Sequence, residues 1–411
     1  MAERRWLIVA DDLSGAADSA IAFARRGLRT RILTRLARAS DTNAEVLAFD
    51  ADSRRLTPAG AAARHREAVQ AFGAPGARVF KKIDSTLRGH PGAEIAAMLQ
   101  ALTDFGRDSF GVLAPAFPAM GRTTREGRVF VHGKALEQDE TWRREHHGAD
   151  PDLVRLLARV GVQAINVPLA RVRSGTGDLR EELAAIARRG GLGPVAICDA
   201  ETDDDLDRIV SASTAMERPP FCIGTGGLTH ALARTLPVVD ASARQVAKSA
   251  AGALIVVGSL SEVSRHAARE LARHPGVIAL PVNAGVDAAA VRALAAGTDV
   301  LVELEVGDTV DLRQGADLLR ALSTTLAGAL REMSGLIATG GETAAALLAQ
   351  RLVQEIELVD ELETGVALGL ARGGAGTTFP LVTKAGAFGD SRSLVRALEK
   401  MRIIRSTGTL A

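Results

Sequence analysis

Lys81-Lys82-Ile83-Asp84-Ser85-Thr86-Leu87-Arg88-Gly89 packs three cations, one carboxylate and two hydroxyls into nine residues. Directly before it, Ala77-Arg78-Val79-Phe80 reads as the end of a buried strand. A strand that runs into such a cluster sets charged groups at the carboxyl edge of a sheet, where open α/β folds bind ligands. Lys and Arg suit an anionic ligand, and Asp and Ser suit its hydroxyls. A polar anion such as a sugar acid is the first expectation. A solvated loop with ordinary surface charges is the competing one.

Upstream, the same layout recurs. Trp6-Leu7-Ile8-Val9-Ala10 reads as a strand that ends in Asp11-Asp12-Leu13-Ser14-Gly15, with a helix from Gly15 to Arg26. Two carboxylates there can hold a sugar hydroxyl or a metal ion, or accept a proton. A helix N-cap explains only one of them. Thr30 to Thr34 reads as a strand, and so does Val46 to Asp50, which leads into Asp50-Ala51-Asp52-Ser53-Arg54-Arg55. Arg at such a place can clamp a carboxylate. Pro58 to Phe72 and Gly92 to Ala101 read as helices. The strand Phe110 to Ala114 leads into Pro115-Ala116-Phe117-Pro118, where Arg122 and Thr123 follow as donors for an anion. Near-continuous apolar strands between helices indicate a largely parallel sheet covered on both faces.

The rhythm restarts late in the chain. Strands are expected at Leu254 to Gly258, Val277 to Leu280, Asp299 to Glu303 and Gly335 to Thr339. Helices are expected at Glu262 to Arg273, Ala316 to Met333 and Glu342 to Gln354. Pro237 to Ala251 has a helical pattern but no clear strand, which puts the boundary near residues 240–252. The fold expectation is thus α/β with two domains, 1–245 and 246–411, each a mostly parallel sheet flanked by helices. Gly258-Ser259-Leu260-Ser261 and Thr339-Gly340-Gly341-Glu342-Thr343 have the strand–glycine–helix layout that lets backbone N–H groups meet phosphate. Gly374 to Thr378 and Lys384 to Gly389 add two more such turns, and four in one domain suggest a nucleotide site. Neither GxxxxGK[ST] nor GxGxxG occurs, and Gly224-Thr225-Gly226-Gly227 lacks the third glycine.

Composition narrows the class. With 411 residues, two domains are expected. A formal net charge of +1 and 3% aromatic content, with no Tyr, give no case for nucleic acid or an anionic membrane. Cys198 and Cys222 sit in apolar runs, far from any disulfide framework or metal-ligand spacing. His132, His146 and His147 read as surface residues, so no metal ligand set is expected. No apolar run approaches a membrane span, and the apolar run behind the basic N-terminus is too short for a signal peptide. A reducing cytoplasm is the expected compartment.

These segments, in this order, resemble the four-carbon acid sugar kinases, which act on D-threonate, D-erythronate or 3-oxo-tetronate. The matching pieces are Ala10 to Ala16, Asp52-Ser53-Arg54, Lys81 to Gly89, Pro115 to Pro118 and Gly121 to Thr124. Gly258 to Ser261, Gly340 to Ala344 and Lys384 to Gly389 complete the set. The resemblance implies an N-terminal sugar-acid domain and a C-terminal ATP domain, with the active site in the inter-domain cleft. It implies transfer of the γ-phosphate to the terminal hydroxyl. Carried over by position, Asp11, Arg54, Lys82, Ile83, Asp84 and Ser85 look like substrate contacts, with Arg88 beside them. Ser259, Gly341, Glu342 and Gly386 look like ATP contacts, with Gly340 and Thr343 in the same turn. This sequence has Ser14 where the family often has Thr, and Glu342 where Asp is common. The segment from Gly133 to Asp150 matches less well.

In such a reaction Asp12 or Asp84 is expected to take the proton of the attacking hydroxyl, and Lys82 to neutralise charge. ATP and Mg²⁺ are the expected cofactors, and a small sugar acid is the expected partner. A homodimer is left open as the assembly. The rival readings are a non-catalytic sugar-acid sensor and a lyase or aldolase with Lys82 as amine nucleophile.

Overall fold

Strand after strand in this chain runs parallel to its neighbour, so the strands' carboxyl ends collect on one edge of each sheet. The computed structural model describes residues 6–36, 43–73, 76–106, 110–138, 142–143, 150–189, 193–240, 243–259, 261–304 and 315–410. By internal contacts the chain divides into two units. One comprises Met1–Arg26 and Arg35–Val238, the other Gly27–Thr34 and Val239–Ala411. The strands, in chain order, begin with β1 (Trp6–Ala10), β2 (Thr30–Leu33), β3 (Val46–Asp50), β4 (Arg78–Lys82) and β5 (Gly111–Ala114). Then come β6 (Arg122–Arg125), β7 (Arg128–Val131), β8 (Lys134–Ala135), β9 (Ala164–Val167), β10 (Val195–Cys198) and β11 (Phe221–Gly224).

The first unit's main sheet has the order β3-β1-β4-β11-β5-β10-β9, parallel throughout. The apolar runs around Cys198 and Cys222 are its strands β10 and β11, and both thiols are buried. Among its helices are α1 (Leu13–Ala24), α2 (Pro58–Phe72) and α3 (Pro91–Asp104). Asp12 caps α1 and Thr57 caps α2, with Pro58 in its first turn, where a missing N–H costs nothing. Phe23, Phe49, Phe72 and Phe80 are fully buried, each contributing roughly 1.5–3 kcal/mol of burial. β6, β7 and β8 form a small antiparallel sheet that carries Arg122 to Thr124.

The second unit contains β12 (Arg244–Gln245), β13 (Leu254–Val257), β14 (Val277–Leu280), β15 (Asp299–Glu303) and β16 (Leu336–Thr339). It continues with β17 (Glu355–Glu363), β18 (Val366–Arg372), β19 (Thr378–Lys384) and β20 (Thr409–Leu410). Its sheet is parallel across β14-β15-β13-β16-β19, then antiparallel through β18 and β17 to β2.

Four expectations need correction here. The strand Thr30–Leu33 belongs to the second unit, because it pairs antiparallel with β17. The single helix expected over Ala316 to Met333 is two, Gly315–Thr325 and Ala327–Glu332. Asp287 accepts from the Gly328 and Ala329 N–H groups and starts the second helix from another element. The helix expected to reach Gln354 ends at Gln350, and β17 begins at Glu355. The stretch from Pro237 to Ala251 carries no helix among its described residues; Arg244–Gln245 pair with Thr409–Leu410 instead. None of the described helices is long and apolar enough to cross a membrane.

Candidate active site

Register aligns the first unit's strand ends: Asp50 beside Ala10, Ala10 beside Lys82, Lys82 beside Gly224, and Gly224 beside Ala114. The segments that leave these ends therefore share one edge. Asp11-Asp12, Ser53-Arg54 and Ile83 to Gly89 meet there around the Arg54 guanidinium. Arg54 Nε donates to Asp11 Oδ2 at 2.7 Å, Nη1 lies 3.0 Å from Asp12 Oδ2, and Nη2 lies 3.5 Å from Asp84 Oδ1. Gly89, at φ +77°, lets its segment close on this group; a Cβ there would stand 3.3 Å from Asp11 Oδ2.

The three carboxylates differ. Asp84 accepts from Arg88 Nε and Nη2 at 3.1 and 2.8 Å, and from Thr86 N and Oγ1 at 2.9 and 2.5 Å. Burial opposes its ionisation, but Arg88 and Arg54 outweigh burial and hold its carboxyl well below the usual range. Asp11 is also lowered, with burial outweighed by Arg54 and Lys81. Its Oδ1 is buried and has no hydrogen-bond partner among the described residues. Asp12 spends Oδ1 on the Gly15 N–H at 2.8 Å and is engaged otherwise by Arg54. A fourth carboxyl, Asp50, was not singled out by sequence. Burial, and then the Asp52 carboxylate, push it well above the usual range.

Adjacent lysines on a strand point to opposite faces. Lys82 is buried, and its Nζ would stand 3.1 Å from a Cβ on Gly15 at the start of α1. Its ammonium has no ion pair or hydrogen bond among the described residues. Lys81 lies on the other face, fully buried, 2.9 Å from both Glu94 Oε2 on α3 and His65 Nε2 on α2. Ile83 spends its N–H on the Gly224 carbonyl and buries its side chain, and Ser85 is half-buried. Arg122 donates to the Met120 carbonyl in its own loop. His132 lies between β7 and β8, while His146 and His147 lie outside the described residues. Among the described residues no group of His, Cys, Asp or Glu is arranged to hold a metal ion.

His65, Lys81 and Glu94 were missed for a readable reason. His65 shares an apolar helical face with Ala61, Val69 and Phe72, and Glu94 shares one with Met98 and Ala101. A charged residue on an apolar stripe implies a buried partner. Burial, then the Lys81 charge, lowers the His65 pKa to about 4, with Glu94 and Asp11 acting the other way. Between pH 6.5 and about 4 the unfolded chain binds a proton that folded His65 refuses, so stability falls with pH across that window and is flat above it. The lowered Glu94 and Asp11 carboxyls add further loss as pH falls through their folded values. Thermal midpoints measured from pH 8 to 4 should show this acid slope, and His65→Gln should flatten its upper part. An equal slope in the variant would remove His65 as its source.

In the second unit, register sets Val257, Thr339 and Lys384 side by side. The turns after β13, β16 and β19 therefore converge. Gly386 lies against Ser259, where a Cβ on Gly386 would come 2.3 Å from Ser259 Oγ. The Gly386 carbonyl accepts from Ser261 Oγ, from Ser264 Oγ at 2.8 Å and from Lys384 Nζ at 3.3 Å. Burial lowers the Lys384 pKa to about 8. Ser261 caps the helix Glu262–Ala272. The helix Gly341–Gln350 follows Gly340 at φ +88° and has no side-chain cap, which leaves its first N–H groups open to an anion. Thr343 is buried beside Gly258, and Glu342 occupies the first turn. The fourth expected turn, Gly374–Gly376, does not join them. It links β18 to the start of β19, at the other end of that strand.

Residues 6–232 match the family model of a sugar-binding N-terminal domain, and residues 254–394 that of a nucleotide-binding C-terminal domain. The chain is 40% identical to a D-threonate kinase of Cupriavidus necator, over 96% of this chain and 98% of that protein. It is 30% identical to a D-erythronate kinase of Heliobacterium modesticaldum, over 94% of each. The crystal structure of Haemophilus influenzae protein HI1011 shares the fold, with a TM-score of 0.74 at 20% identity over 96% of this chain and 99% of that one. A phosphotransferase with an alcohol group as acceptor, this chain belongs to the four-carbon acid sugar kinase family.

Proposed function

We propose that this sugar-acid kinase transfers the γ-phosphate of ATP to the 4-hydroxyl of a four-carbon acid, with D-threonate the first substrate to test. The carrying observation is the Arg54 bracket of three carboxylates, next to a buried Lys82 ammonium that makes no close ion pair or hydrogen bond among the described residues and whose charge acts on Asp84. A polyhydroxy acid suits that combination. Its carboxylate meets Lys82, with Arg88 adding positive charge nearby. A hydroxyl donates to the unsatisfied Asp11 Oδ1. Ile83 and Ser85 border the same segment.

Asp12 and Asp84 divide the remaining work. Asp84 is saturated by donors, which suits an anchor of the Ile83–Gly89 segment better than a proton acceptor. Asp12 is assigned as the group that takes the 4-hydroxyl proton as the oxygen bonds to the γ-phosphorus and the bond to the departing ADP oxygen breaks. The nucleotide phosphates are assigned to the uncapped N-terminus at Gly340, Gly341, Glu342 and Thr343, with Ser259 and Gly386 alongside. Mg²⁺ typically takes one or two carboxylates plus phosphates, so it would enter with the nucleotide, and Glu342 is the carboxylate that turn offers. It would neutralise charge on the phosphates.

Gly386→Ala should crowd Ser259, displacing its hydroxyl or the turn after β19, and weaken ADP binding about tenfold, an effect of about 1.4 kcal/mol. Calorimetry of the full chain with ADP reads this; unchanged affinity would put the phosphates elsewhere. The reaction itself is tested by ADP release with D-threonate, D-erythronate and 3-oxo-tetronate. Acid-dependent ADP is expected with at least one of them. ADP release indifferent to all three would refute the reading.

A further inference from the structure

Four polar side chains lie fully buried beneath the Arg54 bracket: Ser53, His65, Lys81 and Glu94. They form a continuous chain of contacts. His65 is neutral above about pH 4, so its Nδ1–H donates to the Ala61 carbonyl at 2.9 Å and its Nε2 accepts from Lys81. Lys81 Nζ also donates to the Lys82 carbonyl at 2.6 Å and pairs with Glu94. Glu94 Oε1 accepts from Ser53 Oγ at 2.9 Å. The chain thus begins in α2, passes through β4 and α3, and ends one residue before Arg54.

That last link falls on a strained turn. Asp52 has φ +44°, a conformation that residues other than glycine seldom adopt. The turn is pinned on both sides of it, by the Asp52 N–H on Asp50 Oδ1 and by the Ser53 hydroxyl on Glu94. The Ser53 N–H further donates to the Asp11 carbonyl at 3.0 Å. A buried ion pair contributes little stability over an apolar pair of similar volume. This one touches both segments that carry the cations facing the sugar acid, Ser53-Arg54 and Lys82.

We propose that Lys81, Glu94, His65 and Ser53 are positioning residues that preset the Arg54 turn and the Lys82 backbone, and so determine affinity for the sugar acid. This rests on the assignment of the Arg54 bracket to that substrate. Ser53→Ala removes only the last link and keeps the ion pair. Lys81→Met with Glu94→Gln removes both charges together, which avoids stranding one of them.

Steady-state kinetics of the full chain with D-threonate and ATP test the idea, with Arg54→Ala as reference. Ser53→Ala should raise the KM for D-threonate about tenfold, the loss of one hydrogen bond to a charged acceptor. Its KM for ATP should stay within about twofold, and its thermal midpoint should fall modestly because Glu94 Oε1 loses its donor. The Lys81→Met/Glu94→Gln protein should show the same split, and adding Ser53→Ala to it should raise KM little further, because both break one chain. An unchanged KM for D-threonate in Ser53→Ala, with Arg54→Ala impaired, overturns the positioning role alone. An unchanged KM in both overturns the site assignment and the proposal with it. Falling kcat and midpoint with both KM values constant would mark the cluster as structural only.

Discussion

Arg54→Ala should lower kcat/KM for D-threonate by between about thirtyfold and several-thousandfold, corresponding to the roughly 2–5 kcal/mol lost when a buried charged partner is removed. The range is large because Arg54 has three roles at once. Its Nε and two Nη atoms each face a different carboxylate. Without it Asp11, Asp12 and Asp84 repel one another and any incoming anion. Arg54→Lys should rescue little, since a point charge cannot reproduce a planar fork that spans three acceptors. The KM for ATP should remain within about twofold, because the glycine turns belong to a different contact unit. Varying each substrate in turn reads both constants. An equal rise in the KM for ATP would end the division of labour between the units.

Asp12→Asn should reduce kcat by about 10²–10⁴-fold, the usual contribution of a general base. The replacement keeps the side chain's shape and can still accept from the Gly15 N–H, so α1 should start at the same place. Asp84→Asn should behave differently. It loosens Arg88, Thr86 and Arg54 together, so the KM for the sugar acid and the thermal midpoint should move more than kcat. A loose, metaphosphate-like transition state demands little proton removal before the phosphorus–oxygen bond forms. Full turnover in Asp12→Asn would mean that this enzyme makes use of that freedom.

Much of the first unit was legible because its signals are local. Trp6 to Ala10, Val46 to Asp50, Pro58 to Phe72 and Arg78 to Lys82 form the elements their apolar runs and caps specify. Their polar ends announce the site, since parallel strands must finish on one edge. The strands β10 and β11 were not legible as strands. Runs of four apolar residues read alike in a buried strand and a buried helix. The insertion of β11 between β4 and β5 is a crossover that no local pattern records. Glu355–Glu363 hides its strand for another reason. Its carboxylates are balanced by Arg31, Arg244 and Arg372, which are remote in sequence.

The site shows the same contrast. The residues proposed to face a ligand stand in short motifs, so Asp11, Asp12, Arg54, Lys82 and Asp84 could be singled out from sequence as candidates. The residues that hold them do not. Glu94 reaches Ser53 across 41 positions, and His65 reaches Lys81 across 16. Asp50 heads the Asp50–Arg55 motif, yet its raised pKa depends on burial and on the surrounding carboxylates, which only the fold assembles.

Phosphorus NMR of the product formed from ATP and D-threonate addresses the reaction and its regiochemistry together. A phosphomonoester signal coupled to the two C4 protons, appearing in step with ADP, is the expected result. A phosphate on another oxygen, or ADP formed without any phosphorylated acid, would contradict a kinase that acts on the terminal hydroxyl.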